Sequence, residues 1–211
     1  VATLVAAPLG IAVAWLLARK RLPGKVFIES LVHLPLVLPP VVTGYLLLLT
    51  FGRRGAIGAF LADNFGIVLS FRWTGAALAC GIMGFPLLVR PIRLSIEAVD
   101  RRLEQAASTL GAAPWQVFTT VTLPLALPGI LAGMVLGFAK AIGEFGATIT
   151  FVSNIPGETQ TISSAIYSLI QTPDGDAAAG RLVIISVVIA MAALVASEWF
   201  ARRATKRLHG N

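Results

Sequence analysis

The chain has 211 residues, 56% hydrophobic and 13% charged, with a mean hydropathy of +0.83. An ordinary soluble domain carries about twice that charged fraction, so composition argues against a soluble globular protein and for an all-α polytopic membrane protein. The formal net charge of +7 does not call for nucleic acid, because the basic residues gather between apolar runs in the manner that sets membrane topology.

Five spans are predicted, in one membrane domain covering residues 1–211. The first covers residues 1–18 and ends at a basic loop containing Arg19, Lys20, Arg21 and Lys25. The chain begins inside an apolar run, so further residues are expected ahead of Val1, with room for a sixth span.

The second span, 26–51, contains Pro35, Pro39 and Pro40. Each removes a backbone donor and disfavours helix at the residue before it, so a break is expected here. Lipid cannot satisfy the freed carbonyls, which places this segment against protein or a water-filled cavity. Pro39 and Pro40 are thus candidates for a translocation path, with a static packing kink as the equal alternative. The third span, 73–89, is followed by Arg90, Arg93, Arg101 and Arg102.

The fourth span, 125–151, carries Gly129, Gly133 and Gly137 at every fourth residue. That small-residue ridge suits close helix packing or a dimer contact. Lys140 and Glu144 continue the face, and Thr148 follows at the same spacing. Ionisable groups at membrane depth face the bundle interior or water, which makes Lys140, Glu144 and Thr148 path or gate candidates. For the pair itself, fixing helix register is the simpler reading. Lys before Glu is the weaker order for an intrahelical pair, so partners on another helix are also expected.

An exterior segment, 152–181, separates this span from the fifth, 182–201. Ile162, Ile166, Leu169 and Ile170 have helical apolar spacing and predict a short helix at the membrane surface, a candidate outer gate or docking surface. Beyond the fifth span lie Arg202, Arg203, Lys206 and Arg207. Placing the basic loops in the cytoplasm puts the N-terminus outside and the C-terminus inside. Arg53, Arg54 and Arg72, in the first exterior loop, break that pattern.

Chemistry of its own is not evident. There is no G-x-x-x-x-G-K-[ST] phosphate loop, no G-x-S-x-G and no H-E-x-x-H. Cys80 stands alone, and His33 and His209 have no ligand-like neighbours, so no metal site is predicted. The chain is not expected to be an enzyme. An ion-coupled secondary transporter would more typically carry several intramembrane carboxylates and repeated halves.

The remaining loop, 93–124, is assigned to the cytoplasm. Asp100 is a candidate N-cap, Gly111 a C-terminal stop, and Pro114 the start of another helix. Leu103, Ala106 or Ala107, and Leu110 make an apolar stripe, with Arg101, Glu104 and Ser108 toward the polar side. Such a helix can dock in a groove on a soluble partner or lie on the bilayer.

The run "EQAASTLGAAPWQVFTTVTLP" resembles the EAA loop of ABC importer permeases, in Glu104, Ala106, Ala107, Gly111 and the Leu123-Pro124 pair. Thr122 stands where that family usually has Ile. Together with "HLPLVLPPVVTGYLLL", "GEFGATITFVSNIPGET" and "YSLIQTPDGD", it makes nearly the whole chain similar to the permeases of molybdate importers, and less specifically to sulfate or thiosulfate permeases. The resemblance implies a type I importer permease fold and a multi-pass protein of the prokaryotic cytoplasmic membrane. It implies a homodimer with two ATP-binding subunits and an external substrate-binding protein. The cargo would be molybdate or tungstate, and ATP and Mg would be held by the partner ATPase, with no cofactor in this chain. Glu104, Ala106, Ala107, Leu110 and Gly111 would then make the contact with the ATPase.

Overall fold

The computed structural model describes residues 1–20 and 23–209, and their side chains except at 197 and 200–209. Arg21 and the side chains of Arg202, Arg203, Lys206, Arg207 and His209 therefore lie outside the described residues. All regular structure among the described residues is helical. Three helices are long and apolar enough to cross a bilayer singly, and two bent pairs pass the same test jointly.

Helix α1 (Ala2–Arg19) leads to α2 (Lys25–Val37) and α3 (Pro40–Phe51). The predicted break in the second span falls at Leu38 and Pro39, where the axis turns by 114°. Pro35 is accommodated inside α2, and Pro40 opens α3 at a position whose amide needs no helical partner. A short α4 (Ala56–Phe65) then occupies the loop assigned to the exterior from sequence, where no helix is expected.

Helix α5 (Trp73–Ala98) is longer than the predicted third span. It runs through Pro86, Pro91 and both Arg90 and Arg93, so those arginines belong to a helix and not to a loop. An apolar-run criterion stops at the first charge, yet Arg93 is paired with Glu29 of α2 and with Glu97, each at 2.8 Å. At 1.5 Å per residue α5 is about 39 Å long and fixes the two ends of the molecule.

Past α5 come α6 (Arg101–Thr109), α7 (Pro114–Val117), a five-residue π-helical stretch (Phe118–Thr122) and α8 (Leu123–Ile142). Pro124 offers no amide to the carbonyl four residues back, and the wider Leu123 N–H to Phe118 bond replaces the usual register. The segments before and after Leu125–Leu127 meet at 69°.

The predicted fourth span is not one helix. α8 stops at Ile142, and α9 (Gly146–Val152) starts after a break at Gly143–Phe145. α10 (Ile162–Leu169) is the short helix predicted between the fourth and fifth spans, closed by a reciprocal Thr161–Ser164 cap. α11 (Asp176–His209) begins six residues before the predicted fifth span.

Two apolar clusters hold the bundle. Leu17, Leu88, Val89, Ile92, Ile96 and Ile130 join α1, α5 and α8. Leu47, Ala79, Met83, Phe151 and Val152 join α3, α5 and α9. The glycine ridge faces α5 within the chain: a Cβ on Gly129 would stand 2.2 Å from Ser95 Cβ, and one on Gly133 2.5 Å from the Leu88 carbonyl. The two helices approach this closely only because those side chains are missing. That face is therefore occupied inside the chain and is not free for a dimer contact.

Candidate coupling site

Helix α6 lies beyond the C-terminal end of α5. Asp100 accepts the Arg102 amide at 2.9 Å and starts the helix. Gly111 ends it with φ +88°, a conformation that favours glycine, while the Ala112 amide returns to the Ala107 carbonyl at 3.1 Å. Pro114 opens α7, whose first turn is closed by the Ala113 amide on Gln116 Oε1 at 2.8 Å.

Glu104 does not point to solvent. Its Oε1 accepts Arg19 Nη2 at 3.0 Å, Arg19 Nε at 3.2 Å and Thr122 Oγ1 at 2.6 Å. Arg19 also donates to the Val99 carbonyl at 3.1 Å. One carboxylate thus ties α6 to the end of α1 and to the π-helical stretch that feeds α8. Sequence spacing cannot show this, because Arg19 is 85 residues away. The Thr122 departure from the family pattern acquires a role as a hydrogen-bond donor.

With Glu104 turned inward, the apolar stripe turns outward. Leu103 is 51% exposed and Leu110 89%, and Ala106 between them is also exposed. Ala107 is half-buried on the inner side. Trp115, which the sequence reading passes over, is 71% exposed just after Gly111. A small helix normally buries its apolar stripe and hydrates its carboxylate; here both are reversed. An exposed apolar patch beside fixed charges has the character of a protein interface.

The other candidates meet elsewhere. Glu144 is 1% exposed and lies in the break between α8 and α9. Its Oε2 accepts Lys140 Nζ at 2.8 Å and its Oε1 the Ala147 amide at 2.9 Å, so the pair is made within one segment despite its unfavourable order. The bond to Ala147 satisfies a donor that the start of α9 would leave open in lipid. Thr148 Oγ1 donates to the Phe145 carbonyl at 2.9 Å. α9 packs on α3 through Gly44, where a Cβ would lie 2.5 Å from the Ala147 carbonyl, and Gly146 sits against Pro40. The α2–α3 bend and the α8–α9 break are thus neighbours, with Pro40 at their contact. α10 closes over them: Ser163 Oγ donates to the Ile142 carbonyl at 3.0 Å, and Tyr167 lies 5.0 Å from Phe145, ring to ring.

Broken helices lined by buried polar groups at one level, and an amphipathic helix offered outward at one end, define an importer-type membrane permease. The chain belongs to the family of binding-protein-dependent transport system inner membrane components, which matches residues 6–209. Such permeases work with a separate ATPase and a binding protein. The chain is 62% identical over 206 residues to the molybdenum transport system permease protein ModB of Escherichia coli (strain K12), covering 98% of this chain and 90% of that one. It is 42% identical over 172 residues to the chloroplastic sulfate permease 2 of Chlamydomonas reinhardtii, covering 82% of this chain and 46% of that one. A crystallised bacterial ABC transporter that imports the acidic polysaccharide alginate has the same fold, with a TM-score of 0.70 at 20% identity over 96% of this chain and 77% of that one.

Proposed function

We propose that this chain is the membrane subunit of an ATP-driven importer of molybdate or tungstate, working as a homodimer with two ATPase subunits and an external binding protein. The observation that carries the coupling role is the reversed α6: its apolar stripe faces outward while Glu104 clamps it to α1 and the π-helical stretch. The stripe docks in the ATPase, and closure of the ATPase pair on ATP displaces α6. Because Glu104 holds Arg19 and Thr122, the displacement passes to α1 and to the start of α8 together. At the other end of α8 the Glu144 break and the α2–α3 bend form the gated part of the path, from Pro39 and Pro40 to Lys140, Glu144 and Thr148.

Cargo identity rests on the 62% identity to a molybdenum permease over nearly the full chain. Sulfate is the second reading, favoured by the 42% identity to a sulfate permease. Uptake into proteoliposomes holding the complete transporter separates them. Molybdate uptake that needs ATP and is competed by tungstate, with sulfate ineffective, is the expected result. Equal competition by sulfate favours the second reading. Uptake by this chain alone under an ion gradient overturns both.

A further inference from the structure

The two apolar clusters divide the bundle at one level. α1 and α8 build the first, toward α6, with α2 laid against it; α3 and α9 build the second, and α5 runs through both. Both interruptions fall on that border. The bend at Leu38 and Pro39 leads from α2 on the first cluster to α3 in the second. The break at Gly143–Phe145 leads from α8 to α9 in the same way.

α2 is thinly held for a helix that feeds such a bend. None of its residues is buried, and its apolar hold on the first cluster is through Ile28 and Val32. Farther along, an open apolar hollow of about 650 Å³ separates Leu31 and Pro35 of α2 from Val5 and Leu9 of α1 and Ala77 and Phe85 of α5. The firm link is ionic. Arg93 Nη1 meets Glu29 Oε1 at 2.8 Å, with the two side chains 23% and 29% exposed. Glu97 holds Arg93 Nε at 2.8 Å, so the guanidinium is fixed on α5 with its other edge presented to α2.

We propose that Glu29 and Arg93 are positioning residues for the gate. Their pair keeps α2 on α5, in one body with α1 and α8, so that motion is taken up at the Leu38–Pro39 bend and the Gly143–Phe145 break together. Hinge closure concentrates rotation in a few residues between packed bodies. Without the pair α2 swings as a loose arm, and a displacement arriving through α6 is dissipated before it reaches α3. This rests on the reading of the bend and the break as the gated part of the path.

The test uses the complete transporter in liposomes, in a C80S background, with one permease copy carrying two spin labels. Phe27, Leu49 and Leu94 are all exposed, so labels there displace no packing. With Glu29 and Arg93 in place, the F27C–L94C distance, α2 to α5, should be the same with and without ATP. The F27C–L49C distance, across the bend, should shift. E29Q and R93Q should each broaden the F27C–L94C distance and lower molybdate uptake per ATP hydrolysed about fivefold or more, with the double variant no worse than either single one. E29D, which keeps the carboxylate, should retain most of that ratio. A F27C–L94C distance that follows ATP with the pair intact overturns the proposal, and so do additive losses in the double variant. A wild-type uptake ratio in E29Q, with only the melting temperature lowered, overturns it as well. The distances do not depend on the cargo, so a wild-type complex that takes up no molybdate counts against the importer reading and leaves the distances to decide this one.

Discussion

Glu104 gathers three donors on one carboxylate oxygen, two from Arg19 at the end of α1 and one from Thr122 in the π-helical stretch. Hydrogen bonds to a charged group are worth about 1.5–3 kcal/mol, and removing one partner leaves the other desolvated. R19E should therefore cut transport about tenfold or more while the assembled ATPase still turns over, because the clamp is lost but the docking stripe is kept. The exchange R19E/E104R restores the ion pair with its charges swapped and should recover part of the transport; a double variant as poor as the single one contradicts the clamp. At the glycine ridge the test is stability. G129A puts a methyl where Ser95 already stands, and overpacking of this kind costs about 1–3 kcal/mol. Its melting temperature in detergent should fall, whereas Ala at Gly180, which has no neighbour within 4 Å, should leave it unchanged.

Among the elements, α6 was the most legible from sequence. Asp100, Gly111 and Pro114 are local signals, and each does locally what its residue type dictates. Its orientation was not legible, since a carboxylate on a short amphipathic helix reads as water-facing until Arg19 is brought to it. The α8–α9 break was missed for a related reason. Hydropathy runs on through Gly143–Phe145, and only the pairing of Glu144 with the Ala147 amide makes a stop there cheap. The two glycines flanking Glu144–Phe145 were the available clue. E144A leaves both Lys140 and that amide without an acceptor, and an unsatisfied buried donor costs about 1–3 kcal/mol. E144Q keeps an oxygen for the amide. Thermal stability should fall in the order wild type, E144Q, E144A, and equal loss in both variants would show that the amide bond contributes little.

For the whole molecule, the length of α5 separates the end clamped by Glu104 from an end carrying three arginines, Arg53, Arg54 and Arg72, that form no ion pair among the described residues. Composition and charge grouping were enough to predict a helical bundle of about five spans, but α4 and the true ends of α5 depended on packing. The orientation adopted here makes a direct prediction. In a C80S background, which removes the single cysteine, R54C should react with an impermeant thiol reagent added outside intact cells. R102C should react only after the membrane is opened. The reverse pattern would invert the topology.

If the ATPase grips this chain at the outward apolar stripe of α6, the L103D/L110D variant breaks that grip. Both side chains are exposed, so the substitution leaves the fold of the permease intact. The purified variant should keep the wild-type melting temperature but no longer retain its ATPase, with ATP-driven uptake lost. Wild-type ATPase retention and uptake in that variant would contradict it.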